Sequence, residues 1–148
     1  MPVEISSEIV IERPRAEVAA YVTEPDNAID WYEHIQRVVW RTPRPLAVGS
    51  RVGFFAGFLG KQFEYVYEIT VLVPGERLVM RTDQGRVPME TQYVWRDEPG
   101  GATRMSLHNR GEPRGAGRFG GFLLRRAMRR SSERDLQRLK QLLETRSA

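Results

Sequence analysis

The side chains able to do chemistry in this 148-residue chain are hydroxyls, phenols, amides and a few carboxylates, because it has no cysteine and only two histidines. Without cysteine there is no disulfide, thiolate metal site or sulfur nucleophile. His34 and His108 lie in different parts of the chain, which suggests no metal site and no cofactor. No Ser-His-Asp arrangement is visible. Asp135 is the most pointed residue. On a helical wheel it falls near the centre of an apolar face, beside Ser131 and Ser132. A carboxylate placed there must be paired or have its pKa raised. It could orient a polar group on a ligand or act as a general base. Alternatively, a slight roll of the helix pairs it with an arginine at the rim. Asn109, Thr82, Thr91 and Ser131 could add hydrogen bonds to the same interior.

Gly115-Ala116-Gly117-Arg118-Phe119-Gly120 fits G-x-G-x-x-G in letters. Dinucleotide binding also needs a second parallel strand bearing an acid after the helix. The chain ends after the helix, so a loop beside a cavity mouth is the better reading.

These residues are positioned by a readable series of elements. Val3, Ile5, Ile9 and Ile11 alternate with polar residues, which predicts a strand over Val3–Ile11. Pro14 suits a helix start, with a helix over Arg15–Val22 and a second helical turn near Asn27–Tyr32. Strands follow at Ile35–Arg41, Arg51–Ala56, Lys61–Val73, Arg77–Asp83, Val87–Trp95 and Thr103–Arg110. Short turns between them predict an antiparallel meander. In the long fourth strand, Phe63, Tyr65, Tyr67, Ile69, Val71 and Val73 share one face. Phe54, Met80, Met89, Tyr93, Trp95 and Met105 face the same interior from other strands, and His108 faces outward. Arg118–Glu144 is a helix whose apolar side gathers Leu124, Met128, Leu136, Leu139, Leu142 and Leu143. The apolar side must bury against the sheet. Large aromatics and adaptable methionines there suit either a cavity or plain core packing.

The composition is 41% hydrophobic with net charge +4, consistent with one domain over 1–148. No apolar stretch approaches the ~20 residues of a membrane span, and no signal peptide is evident, so a cytoplasmic protein is expected. Residues 112–148 hold ten Lys or Arg against four Asp or Glu, leaving the rest of the chain at −2. This surplus reads as a solvated helix face or as a surface for an anionic partner. No nucleic acid is expected, because Phe119 and Phe122 precede most of the arginines instead of interleaving with them. Gly57-Phe58-Leu59-Gly60 puts two apolar side chains on a turn tip, which could cap a cavity, touch a membrane transiently, meet a partner or fold back.

Several stretches together resemble one superfamily. They are Ile11-Glu12-Arg13-Pro14 with Glu17-Val18, then Tyr21–Pro25 and Trp31. Val48-Gly49-Ser50, Thr70–Pro74 with Glu76-Arg77-Leu78, and Gly100–Met105 continue the match. With the element order, this resembles the SRPBCC superfamily, also called START-like, of the polyketide cyclase/dehydrase and lipid-transport group. The resemblance implies an α+β helix-grip fold: a curved antiparallel sheet, built from a strand, two short helices and six strands, wrapped around a long C-terminal helix. It also implies an apolar cavity between them that binds a small hydrophobic molecule such as a lipid, isoprenoid or polyketide. The expected ligand-binding residues are Phe54, Tyr65, Tyr67, Met80, Met89, Tyr93, Trp95, Met105, Asn109, Met128, Ser131 and Asp135. One alternative is a cyclase/dehydrase-type enzyme in which Asp135, Tyr67 or Tyr93 moves a proton. Another is a regulatory module that binds an anionic partner through Arg125, Arg126, Arg129, Arg130 and Arg138.

Overall fold

The computed structural model describes residues 3–58, 60–82, 88–111 and 118–146, without the side chains of 58 and 118–120. β1 spans Val3–Ile11, where alternation buries Val3, Ile5, Ser7, Ile9 and Ile11. Pro14, extended at ψ 146°, caps α1, Arg15–Val22. Glu17 in its first turn accepts two hydrogen bonds from the Arg13 guanidinium, at 2.8 and 3.0 Å. A 3-10 turn at Pro25–Asn27 then leads into the single turn of α2, Ala28–Trp31.

Six strands follow: β2 Ile35–Trp40, β3 Arg51–Phe58, β4 Lys61–Val73, β5 Arg77–Thr82, β6 Met89–Glu98 and β7 Ala102–Gly111. They form one antiparallel sheet in the order β1-β7-β6-β5-β4-β3-β2. Every β2–β7 neighbour is the next strand in sequence, and β1 closes onto β7 from the far end of the chain. The long C-terminal helix α3, Arg118–Glu144, lies in the curve of this sheet. The architecture is the helix-grip fold expected from the sequence.

Boundaries shift by a few residues. β3 runs two residues further than expected, and β6 three residues past Trp95. The expected starts and ends within 83–87, the tip residue 59 and the 112–117 part of the glycine-rich loop lie outside the described residues.

One facing assignment changes. β4 carries a bulge between Ile69 and Val71, which pair with Met80 and Val79. The extra residue, Thr70, reverses the alternation beyond it. Leu72 therefore packs against the core, and Val73, expected inside, is 40% exposed.

α3 is held at its C-terminal half. Leu136, Leu139 and Leu143 are buried, while Leu124 and Met128 nearer its start are only half-buried. Lys140 Nζ donates to the Val10 carbonyl at 2.7 Å and to Glu144 Oε2 at 2.6 Å. The same Glu144 oxygen accepts the Glu12 N–H at 2.8 Å. These charge-assisted bonds tie the last turns to the end of β1. The core beneath combines these leucines with Ile9, Ile11, Val18, Trp31, Trp95 and Leu107. A compact core at one end of α3 and a looser packing toward the other leave room for a cavity.

Candidate functional site

The strands bring their inward side chains to one wall, and α3 and α2 supply the other. Between them is a cavity of about 750 Å³. Its floor is apolar: Phe54 and Ala56 of β3, Phe63, Tyr65 and Ile69 of β4, and Met80 and Met89 of β5 and β6. Phe54 and Tyr67 meet edge to face, with ring centroids 5.7 Å apart.

The polar groups on its walls form two sets. The first is a chain across β4, β6, β7 and α3. Tyr67 of β4 stands beside Thr91 at one end of it. Thr91 Oγ1 donates to Asn109 Oδ1 at 2.7 Å, and Asn109 Nδ2 lies 3.5 Å from Ser132 Oγ. Burial pushes the Tyr67 phenol up to about 12, so it stays protonated and neutral at ordinary pH.

The second set lies where α2 meets α3. The Tyr32 and Tyr93 hydroxyls share a short hydrogen bond. Burial raises both phenols well above the usual tyrosine range. One bond uses one of the two hydroxyl protons, so the pair retains a further donor and free lone pairs. Trp31 packs against both, at 4.1 Å from the Tyr32 ring and 6.1 Å from the Tyr93 ring, between centroids. Asp135 projects from α3 into the same region and is 4% exposed. Burial raises its carboxyl to about 6, against the hydrogen bond that Oδ1 accepts from the Glu33 N–H at 3.1 Å. The rim-arginine alternative is not realised: Arg134 pairs with Glu33, at 3.5 Å, and Arg138 donates to the Asp30 carbonyl, at 2.6 Å.

Ten of the twelve residues expected to line a cavity do so: Phe54, Tyr65, Tyr67, Met80, Met89, Tyr93, Asn109, Met128, Ser131 and Asp135. Trp95 and Met105 do not. They are 2% and 0% exposed and belong to the core. Both sit near the β6 and β7 ends packed under the tightly held half of α3. Trp95 stacks on Tyr93 with centroids 6.1 Å apart, and its buried Nε1 has no hydrogen-bond partner. Its ring fills space, at the cost of an unsatisfied donor. Sequence reasoning passed over Tyr32, His34, Ile35 and Ser132 as lining residues. The aromatic pair Trp31-Tyr32 at the end of the helical turn is the available signal for Tyr32.

A second concavity, of about 1030 Å³, lies outside, between β1 and the later turns of α3. It is larger but is walled by Glu8, Glu33, Arg130, Glu133 and Arg134. Mixed charges in an open groove suit water better than a guest, so the apolar interior is the candidate site. Among the described residues no cluster of three or more His, Cys, Asp or Glu could hold a metal ion. None of the described helices is long and apolar enough to cross a membrane.

A sheet gripping one helix around an apolar interior, with polar groups grouped on its walls, defines the class of helix-grip cups. The family described as polyketide cyclase / dehydrase and lipid transport matches residues 2–144. The chain belongs to that family, within the SRPBCC superfamily. Among curated proteins, no sequence matches it. Solved structures resemble it closely in fold. The ZhuI aromatase/cyclase from Streptomyces sp. R1128 aligns at 15% identity and TM-score 0.80, over 97% of this chain and 94% of that one. TTHA0849 from Thermus thermophilus aligns at 19% and 0.78, over 97% and 99%. The di-domain ARO/CYC BexL from the BE-7585A biosynthetic pathway aligns at 19% and 0.79, covering 95% of this chain. This chain spans 46% of BexL, about half its length. At such identities the likeness concerns fold alone.

Proposed function

We propose that this protein binds a small hydrophobic molecule bearing at least one polar group, held in the cavity between sheet and α3. Lipid, isoprenoid and polyketide classes all fit that description. The carrying observation is the cavity of about 750 Å³ with its apolar floor and its polar groups gathered in two places. Apolar surface supplies affinity, and the two polar sets would orient the guest. A thermal-shift screen with fatty acids, isoprenoids and hydroxylated polycyclic aromatics tests it. A ligand at ~100 times its Kd adds about 2.7 kcal/mol of stability, which is a rise of several degrees in Tm. No shift with any class, at concentrations that saturate related cups, would count against the reading.

A second reading, an enzyme of the cyclase/dehydrase type, is favoured by the raised Asp135 carboxyl at the cavity wall. A group titrating near 6 can exchange a proton with substrate near neutral pH. As carboxylate, Asp135 would take the proton from a carbon lying between two carbonyls. That carbon then forms a bond to a distant carbonyl carbon of the same chain, whose oxygen receives a proton; the resulting hydroxyl later leaves as water together with the remaining proton of the attacking carbon, and a C=C bond forms between the two carbons. Turnover of a poly-β-ketone mimic, lost in Asp135→Asn while ligand binding persists, would select this reading over simple binding.

A further inference from the structure

We propose that the outer face of the first turns of α3 docks the protein onto an anionic lipid bilayer. Phe122 and Leu123 are 64% and 55% exposed, adjacent and near the start of the helix. Water gains nothing from an exposed phenylalanine beside an exposed leucine, and such a pair marks a contact surface. Four arginines surround it, Arg125, Arg126, Arg129 and Arg130, all exposed. Residues 121–130 contain no acidic residue. Among the described residues these four arginines meet no acidic partner, whereas Arg134, one turn further on, is paired with Glu33. Apolar side chains set among unpaired cations on one helix face are the pattern of helices that lie in a membrane interface. The cations would be drawn to anionic headgroups while Phe122 and Leu123 enter the acyl boundary.

The position gives the contact a purpose. Opposite Phe122 and Leu123 on the same stretch of helix, Met128 and Ser131 face the cavity. Phe63, at the start of β4, lines the cavity and is also 45% exposed. The antiparallel order puts the start of β4, the end of β5, the start of β6 and the end of β7 at one end of the sheet. α3 begins at Arg118, seven positions after β7 ends at Gly111, so the arginine-flanked pair and these cavity-lining residues belong to the same end of the fold. A hydrophobic guest could pass between bilayer and cavity without crossing bulk water. Nucleic acid fits less well, because the aromatic component is one ring at the edge of the patch and not a series interleaved with the arginines.

The test is flotation of the unliganded protein with vesicles of phosphatidylcholine alone or with phosphatidylglycerol added, at low and high salt. It uses no cavity ligand, so its outcome is separate from that of the ligand screen. The expected result is a bound fraction about tenfold higher on the anionic vesicles, falling as salt screens the charges. Phe122→Ser with Leu123→Ser, and separately Arg126→Glu with Arg130→Glu, should each remove most of it. Arg96→Glu, an exposed control on β6, should not. All of these sites are exposed, and unchanged circular dichroism would show that the variants fold. Equal binding to both vesicle types, or no binding at low salt, would overturn the proposal. So would tight binding to polyuridylate that survives the Phe122 and Leu123 changes but not the arginine reversals, which would make the patch a polyanion site.

Discussion

Asp135 Oδ1 accepts a hydrogen bond from the backbone N–H of Glu33, 3.1 Å away and 102 residues earlier in the chain. This one bond joins the interior face of α3 to the segment just after α2, and it does so at the cavity wall. It satisfies one oxygen of a carboxyl that is buried yet borders the cavity.

The pH dependence of stability follows from that placement. The Asp135 carboxyl titrates at about 6 in the folded protein, above its ordinary value of 3.8, chiefly because burial disfavours the charge. A folded-state pKa above the unfolded one means that the native form holds its proton more tightly. The associated stability is fully present below pH 3.8, declines as pH rises, and is gone above about 6. Asp135→Asn keeps an oxygen for the Glu33 N–H and removes the ionisation. The variant should gain Tm relative to wild type between pH 4 and 7. Melting curves across that range check this, and a constant difference between the two proteins would refute it.

The Tyr32–Tyr93 bond predicts a strong coupling. Tyr32→Phe or Tyr93→Phe alone leaves the partner hydroxyl without its bond in a buried place. Each single change should cost about 1–3 kcal/mol. The double change removes both hydroxyls and should cost clearly less than the sum of the two. Urea denaturation of all four proteins gives the cycle, and strict additivity would mean that the two hydroxyls do not depend on each other.

Leu139 is 0% exposed in the part of α3 bound to β1. Leu139→Ala should lower stability by about 2–5 kcal/mol. Leu123→Ala, at an exposed position of the same helix, should change it by under about 0.5 kcal/mol. Chemical denaturation distinguishes the two, and similar small losses would mean that α3 is not gripped as described.

Arg129 and Arg130 are exposed and line no part of the apolar cavity. Arg129→Glu with Arg130→Glu should therefore leave the Kd of any cavity ligand within about twofold. Titration calorimetry with a ligand found by thermal shift measures this. A large loss would place ligand recognition on the helix surface.

The sequence alone determined the order of elements and most of the facing. Alternation runs the length of β1 and through the middle of β6 and β7, where one face of each strand is buried, so the letters of Ile5, Ile9, Tyr93 and Leu107 carry their orientation, whereas in β5 Val79 is buried alongside Leu78 and Met80. The leucine pattern of α3 likewise carried the face that packs. The bulge at Thr70 was beyond it, because two-residue periodicity has no mark for an extra residue accommodated by the neighbouring strand. The division of inward residues between core and cavity was also tertiary. Trp95 and Tyr67 both face inward, yet one is packed solid in the core and the other lines the cavity. That difference depends on how closely α3 approaches each strand. Its distance is set by the Lys140, Glu144 and leucine contacts at one end and by looser packing at the other. Tyr32 shows the same limit. Its hydroxyl meets Tyr93 only because the chain turns after α2 and lays residues 61 positions apart against each other. Periodicity reports which way a side chain points along its own element, and the partner across the gap is decided by packing between elements.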